Sequence, residues 1–119
     1  MQALCAINEM AKIYYEKLSS LLIKLNIKNE ITKPMEVKHF FSGAALYVNQ
    51  TICASWSPVG LAFKMPKQEA EKLINSGRAI PLKYFPKGHV KKGYALFEKP
   101  GDIKPKQCKK YFITSAAQV

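Results

Sequence analysis

The hydrophobic period of this chain changes once, and that change decides which folds are open to it. Leu4, Ile7, Ala11, Tyr14, Leu18, Leu21 and Leu25 fall at alternating steps of three and four, which puts them on one stripe of a helix over residues 3–26. Met10, Ile13, Leu22 and Ile23 widen the apolar face, as expected of a helix that packs on its own sheet. The same stripe spans three heptads, so a homodimer through residues 4–25 is the alternative use of this helix. Residues 28–34 are polar and close on Pro34, and beyond them the period becomes strand-like.

Residues 37–41 and 43–48 read as strands, with Leu46 and Val48 on one face and Tyr47 on the other. Asn49-Gln50 reads as a tight turn. Residues 51–56 set Ile52, Ala54 and Trp56 against Thr51, Cys53 and Ser55. Ser57-Pro58 turns again, and residues 59–64 form the next strand. Pro66 opens a helix over 67–76, with Glu69 and Glu71 early and Gly77 as the residue that ends it. Residues 79–85 and 94–98 read as the last strands, separated by a basic loop over 86–93. Lys99-Pro100-Gly101 breaks the sheet. Asp102 is placed to cap a helix over 103–117, with Cys108, Tyr111, Phe112 and Ser115 toward the core. Strands in runs rather than in strict βαβ alternation predict an α+β fold. The expected architecture is an antiparallel sheet of about five to six strands flanked by N-terminal, middle and C-terminal helices, in one domain over residues 1–119.

The chemistry of the side chains excludes more than it selects. Cys5, Cys53 and Cys108 are odd in number and widely spaced, without a CxxC pair, as expected of buried thiols in a reducing cytoplasm. The start reads as no signal peptide, and no apolar run approaches the ~20 residues of a membrane span. His39 lies in a strand candidate and His89 in the basic loop; neither has a cysteine or carboxylate at ligand spacing, so no metal and no cofactor is expected. A Cys53–His39 nucleophile pair is conceivable across strands, with nothing else in the sequence to support it. Asp102 is the only aspartate, and no phosphate-cradling glycine pattern occurs. Enzyme activity is not expected.

The charge is the remaining signal. The formal net charge is +11, and it is skewed: residues 1–60 contribute +2 and residues 61–119 contribute +9. Lys87, Lys91 and Lys92 share the basic loop, and Lys104, Lys106, Lys109 and Lys110 share the last helix. If loop and helix face one side they form a basic patch, with Tyr84, Phe85 and Tyr111 near enough in sequence to stack on bases. Eighteen of the nineteen basic residues are lysine and only Arg78 is arginine, which disfavours bidentate reading of bases. A solvated lysine face over core aromatics explains the same residues without nucleic acid.

The segment Phe40-Phe41-Ser42-Gly43-Ala44-Ala45-Leu46-Tyr47, followed by Phe63-Lys64-Met65-Pro66, Gly77, Pro81-Leu82-Lys83-Tyr84 and Gly93-Tyr94, resembles the N-terminal domain of the TfoX (Sxy) bacterial competence-regulator family. Ser42 and Ala45 stand where that family's opening carries glycine. Alanine suits an ordinary strand position and strains one that needs positive φ. The resemblance implies a single-domain member with a secretion-chaperone-like α+β layer and a non-enzymatic regulatory or protein-interaction role, with no catalytic residues to carry over. A weak, salt-dependent nucleic-acid binder using the C-terminal lysines is the alternative.

Overall fold

The computed structural model describes residues 2–83 and 89–119, with side chains from residue 11 onward. It shows an α+β fold: α1 (Gln2–Lys24), a four-strand meander of β1 (Met35–Phe40), β2 (Gly43–Val48), β3 (Thr51–Ser57) and β4 (Gly60–Lys64), then α2 (Lys67–Asn75), β5 (Ile80–Leu82), β6 (Lys91–Phe97) and α3 (Pro105–Ala117). All neighbours pair antiparallel in the order β1-β2-β3-β4-β6-β5. No described helix is long and apolar enough to cross a membrane.

Residues paired across strands share a face, so the register locates the core. The rows Val37–Leu46–Ala54–Phe63–Ala95 and His39–Ala44–Trp56–Leu61–Phe97 lie on the helix-covered face. Leu18 and Leu25 of α1, Ala70 of α2 and Cys108, Phe112 and Ala116 of α3 close over them in one cluster. Phe63 is its hub. It meets Phe112 edge-on at 4.8 Å, Phe97 at 5.9 Å and Tyr111 at 5.5 Å, separations at which aromatic pairs add to area burial. A smaller cluster of Ala62, Leu82, Tyr94 and Leu96 occupies the other face.

The turns follow local chemistry. Asn49 and Gln50 both have positive φ (50° and 66°), the signature of a type I′ hairpin. In the Phe41-Ser42 turn only Phe41 is positive, at 52°, as in a type II′ turn. Gly77 at φ 78° ends α2; its N–H donates to Ile74 O and the Arg78 N–H donates to Leu73 O, a Schellman pair. Gly43 is required for a different reason. A Cβ there would lie 2.1 Å from the Trp56 carbonyl oxygen. Ala45 sits in β2 without positive φ, so alanine is unstrained there.

Four sequence expectations are corrected. Cys53 does not oppose Ala54: Leu46 pairs with Ala54 and Tyr47 with Ile52, so Cys53 is the extra residue of a β-bulge and both face the core. Lys91 and Lys92 belong to β6 and not to a loop, because Gly93 at φ 79° lets the strand run on past an irregular step. Asp102 does not cap α3. Pro105 disfavours helical backbone at Lys104, which is extended (ψ 143°) and becomes the N-cap, while Asp102 falls in a preceding 3-10 turn. Finally, the sheet takes only part of the widened face of α1: Ala11, Leu18 and Leu25 are buried and Leu21 and Leu22 pack partly buried against the core, whereas Ile13 and Ile23 stay exposed. Leu4, Ile7 and Met10 of the expected stripe, and residues 84–85 of the expected strand, lie outside the described side chains and residues.

Candidate functional site

The lysines expected to form one patch are held in separate places. Lys91 and Lys92 begin β6 and line a groove beside α2 with Lys67 and Glu71. Lys104 lies at the opposite end of that strand, in a cleft of about 530 Å³ with Arg78, Lys99, Glu98, Asp102 and Tyr111. The seven residues of β6 separate the two groups by about 20 Å. Lys109 turns toward the α1–β1 connection and pairs with Glu30 at 3.2 Å. Lys106 and Lys110 are exposed one helical turn apart on α3. Tyr111 stacks on Phe97 at 5.2 Å and 23°, so its ring serves the core. Lys87, Tyr84 and Phe85 lie outside the described residues. The cleft beside Lys104 mixes both signs of charge and presents no uniform field.

Among the described side chains, the cysteines and histidines do not form a reactive constellation. Cys53 and Cys108 are free and buried. Burial pushes the Cys53 thiol up to about 12, against a smaller opposing pull from Lys64, and pushes Cys108 up to about 11. Such thiols stay protonated and inert at neutral pH. His39 lies three positions along and two strands across from Cys53, about 13 Å away by strand spacing. Its ring instead meets Tyr15 of α1 at 5.0 Å. Among the described residues, no group of three or more His, Cys, Asp or Glu converges on a point.

The feature that a monomer leaves unused lies at the other end of the sheet. Leu22 and Ile23 of α1, with Asn26 just beyond its end, face Met35 and Val37 of β1 across a groove of about 390 Å³ floored by Leu46. Ile23 is 80% exposed, although its helix is otherwise seated on the sheet. β1 is also an open edge. The Asn49 N–H donates to Pro34 O at 3.0 Å, so Pro34, Glu36, Lys38 and Phe40 turn their backbone groups toward β2. Met35, Val37 and His39 therefore turn theirs outward. The opposite edge, β5, is protected by its length of three residues and by Pro81, which has no N–H.

The apolar stripe of α1 marks it as a possible interface, but the surface beside it on β1 carries no local signal in the sequence. Ile23 was visible only as one more apolar residue widening the helix, and β1 only as a strand. That β1 is the outermost strand depends on the order of the whole sheet, which no local pattern encodes. No protein-family model, curated protein or solved structure matches the chain.

Proposed function

We propose that this chain is a non-enzymatic regulatory domain that works by binding protein through the α1–β1 face. The observation that carries this reading is the apolar groove beside Ile23, running along β1, the outermost strand of the sheet, which pairs with no second strand among the described residues. Exposed apolar surface of this kind beside an unpaired strand marks an interaction site. The resemblance of residues 36–118 to the TfoX N-terminal domain, carried by motifs between Phe40 and Tyr94, supports a regulatory role over a catalytic one. Two buried, protonated free thiols fit a reducing compartment, and we place the protein in the cytoplasm of a bacterium. The dispersal of the lysines favours protein over nucleic acid as the partner.

The test pairs two measurements. Fluorescence anisotropy with labelled duplex and single-stranded oligonucleotides should show no binding at physiological salt. Immobilised wild-type protein should retain a protein partner at 0.5 M salt, which the Ile23→Glu variant loses. Salt-sensitive oligonucleotide binding that persists at physiological salt, together with capture indifferent to Ile23→Glu, would favour the lysine-based nucleic-acid reading instead.

A further inference from the structure

We infer that the partner of the β1 edge is a second copy of this chain, paired antiparallel about a two-fold axis through Val37. This rests on the reading of the α1–β1 face as protein-binding and names its occupant. A two-fold interface must be complementary to itself, and β1 meets that condition in backbone, charge and apolar contact at one register.

The backbone comes first. Met35, Val37 and His39 present outward N–H and C=O groups. Centring the pair on Val37 sets Val37 against Val37 and Met35 against His39 of the second copy. Every outward group then finds a partner, in about six hydrogen bonds. A register shifted by one residue would place inward-turned groups at the junction and lose them.

Charge selects the same register. Glu36 and Lys38 share the face of β1 opposite the helices and lie 3.7 Å apart, with Lys38 Nζ also 4.9 Å from the Tyr47 ring. About the Val37 axis, Glu36 of each copy stands directly across from Lys38 of the other. The four charges alternate around a square. A shift of two residues would destroy that alternation by moving Glu36 opposite itself or Lys38 opposite itself, a like-charge contact that is destabilising.

On the helix face, the same axis brings the two grooves together. Strands lie about 4.8 Å apart, so a helix seated over β2 lies about 7 Å from the axis, and the two copies of α1 run about 14 Å apart. That is wider than the 8–10 Å of bare helix contact. Leu22 and Ile23 of both copies, above Met35 and Val37, are the side chains positioned to fill the gap. The pairing thus buries the one aliphatic side chain of this helix flank that the protomer leaves 80% exposed.

Sedimentation velocity over a concentration series tests the inference with wild type, K38E and the double variant E36K/K38E. Wild type should dimerise. K38E places a carboxylate opposite the second copy's Glu36 twice over and should weaken the dimer at least tenfold. The double variant exchanges the signs, restores the alternation and should recover most of the affinity. Val37→Cys supplies a second readout. The two Cβ atoms of a hydrogen-bonded pair lie about 5.5 Å apart, beyond the ~4.5 Å of a relaxed disulfide but within the span of a short bis-maleimide, which should join two chains through the introduced thiols, identified by peptide mass spectrometry. A dimer indifferent to K38E, or one in which Val37→Cys fails to cross-link, overturns the inference. So does a monomer at every concentration. If that monomer still captures another protein through Ile23, the protein-binding reading stands and only the second copy is excluded. If it captures none, both fall.

Discussion

Leu18 and Ile23 are aliphatic side chains of equal size on the same helix, five residues apart, with very different surroundings. Leu18 is fully buried in the main cluster and Ile23 is 80% exposed. Truncating Leu18 to alanine removes buried methyl groups and leaves a cavity that the surrounding β2 and β3 side chains fill only in part, a loss of about 3 kcal/mol. With a urea slope of about 1.5 kcal/mol per molar, the unfolding midpoint should fall by about 2 M. Truncating Ile23 removes groups already in water. The only local term is the higher helix propensity of alanine, a gain of about 0.4 kcal/mol, so the midpoint should stay or rise by about 0.3 M. Far-UV circular dichroism in urea at about 1 µM protein, dilute enough for protomer stability to be read, compares the two variants. If Ile23→Ala lowers the midpoint as much as Leu18→Ala does, Ile23 is packed within the protomer, α1 is rotated from the orientation described, and the groove beside it is not an interface.

Gly43→Ala should lower Tm by about 10 °C, a loss of about 2–3 kcal/mol, because the new Cβ would meet the Trp56 carbonyl at 2.1 Å and Ser57 Cα at 2.8 Å, both backbone; differential scanning calorimetry within 2 °C of wild type would contradict the close strand approach. Gln50→Gly should raise Tm by about 2–3 °C, since relief of left-handed strain at φ 66° outweighs the flexibility glycine adds to the unfolded chain. The buried thiols make stability fall at alkaline pH. The unfolded chain ionises its cysteines near their ordinary value of 9, while folding holds Cys108 protonated to about 11 and Cys53 to about 12. The stabilisation is therefore complete below pH 9 and lost as the pH rises from 9 toward 12. Urea midpoints over pH 8–11 should decline less steeply in Cys53→Ala than in wild type, and alkylation at pH 8 should leave Cys53 and Cys108 unlabelled in the native protein.

What the sequence made legible was local. The tight turn could be read from Asn49-Gln50 between alternating segments, the end of α2 from Gly77, and the packing of α3 from Cys108, Phe112 and Ser115, all of which are buried. Each depends on residues within one turn of the feature. The errors arose where a distant partner decides. Lys91-Lys92-Gly93 has no apolar alternation; pairing of Lys91 with Leu82 of β5, and the Met65 N–H donating to Gly93 O at 2.8 Å, make it strand. Cys53 takes the core side because the β2–β3 register slips by one residue, a property of the pairing that alternation within one strand cannot show. Lys33 read as part of a connector, yet its Nζ donates to Ala116 O at 3.1 Å and Val119 O at 3.2 Å, tying that connector to the end of α3. The candidate site shows the same division. The lysines could be counted but not located, since insertion of β6 between β4 and β5 sets Lys91 and Lys104 at opposite ends of one strand.

Residue-resolved amide exchange along β1, followed by NMR at low and high protein concentration, tests the interface most directly. In dilute protein the inward amides of Glu36, Lys38 and Phe40 should be protected while those of Met35, Val37 and His39 exchange freely. As concentration rises, these three should become protected together, with β5 unchanged. Rapid exchange of Met35, Val37 and His39 at every concentration would contradict self-pairing through this edge.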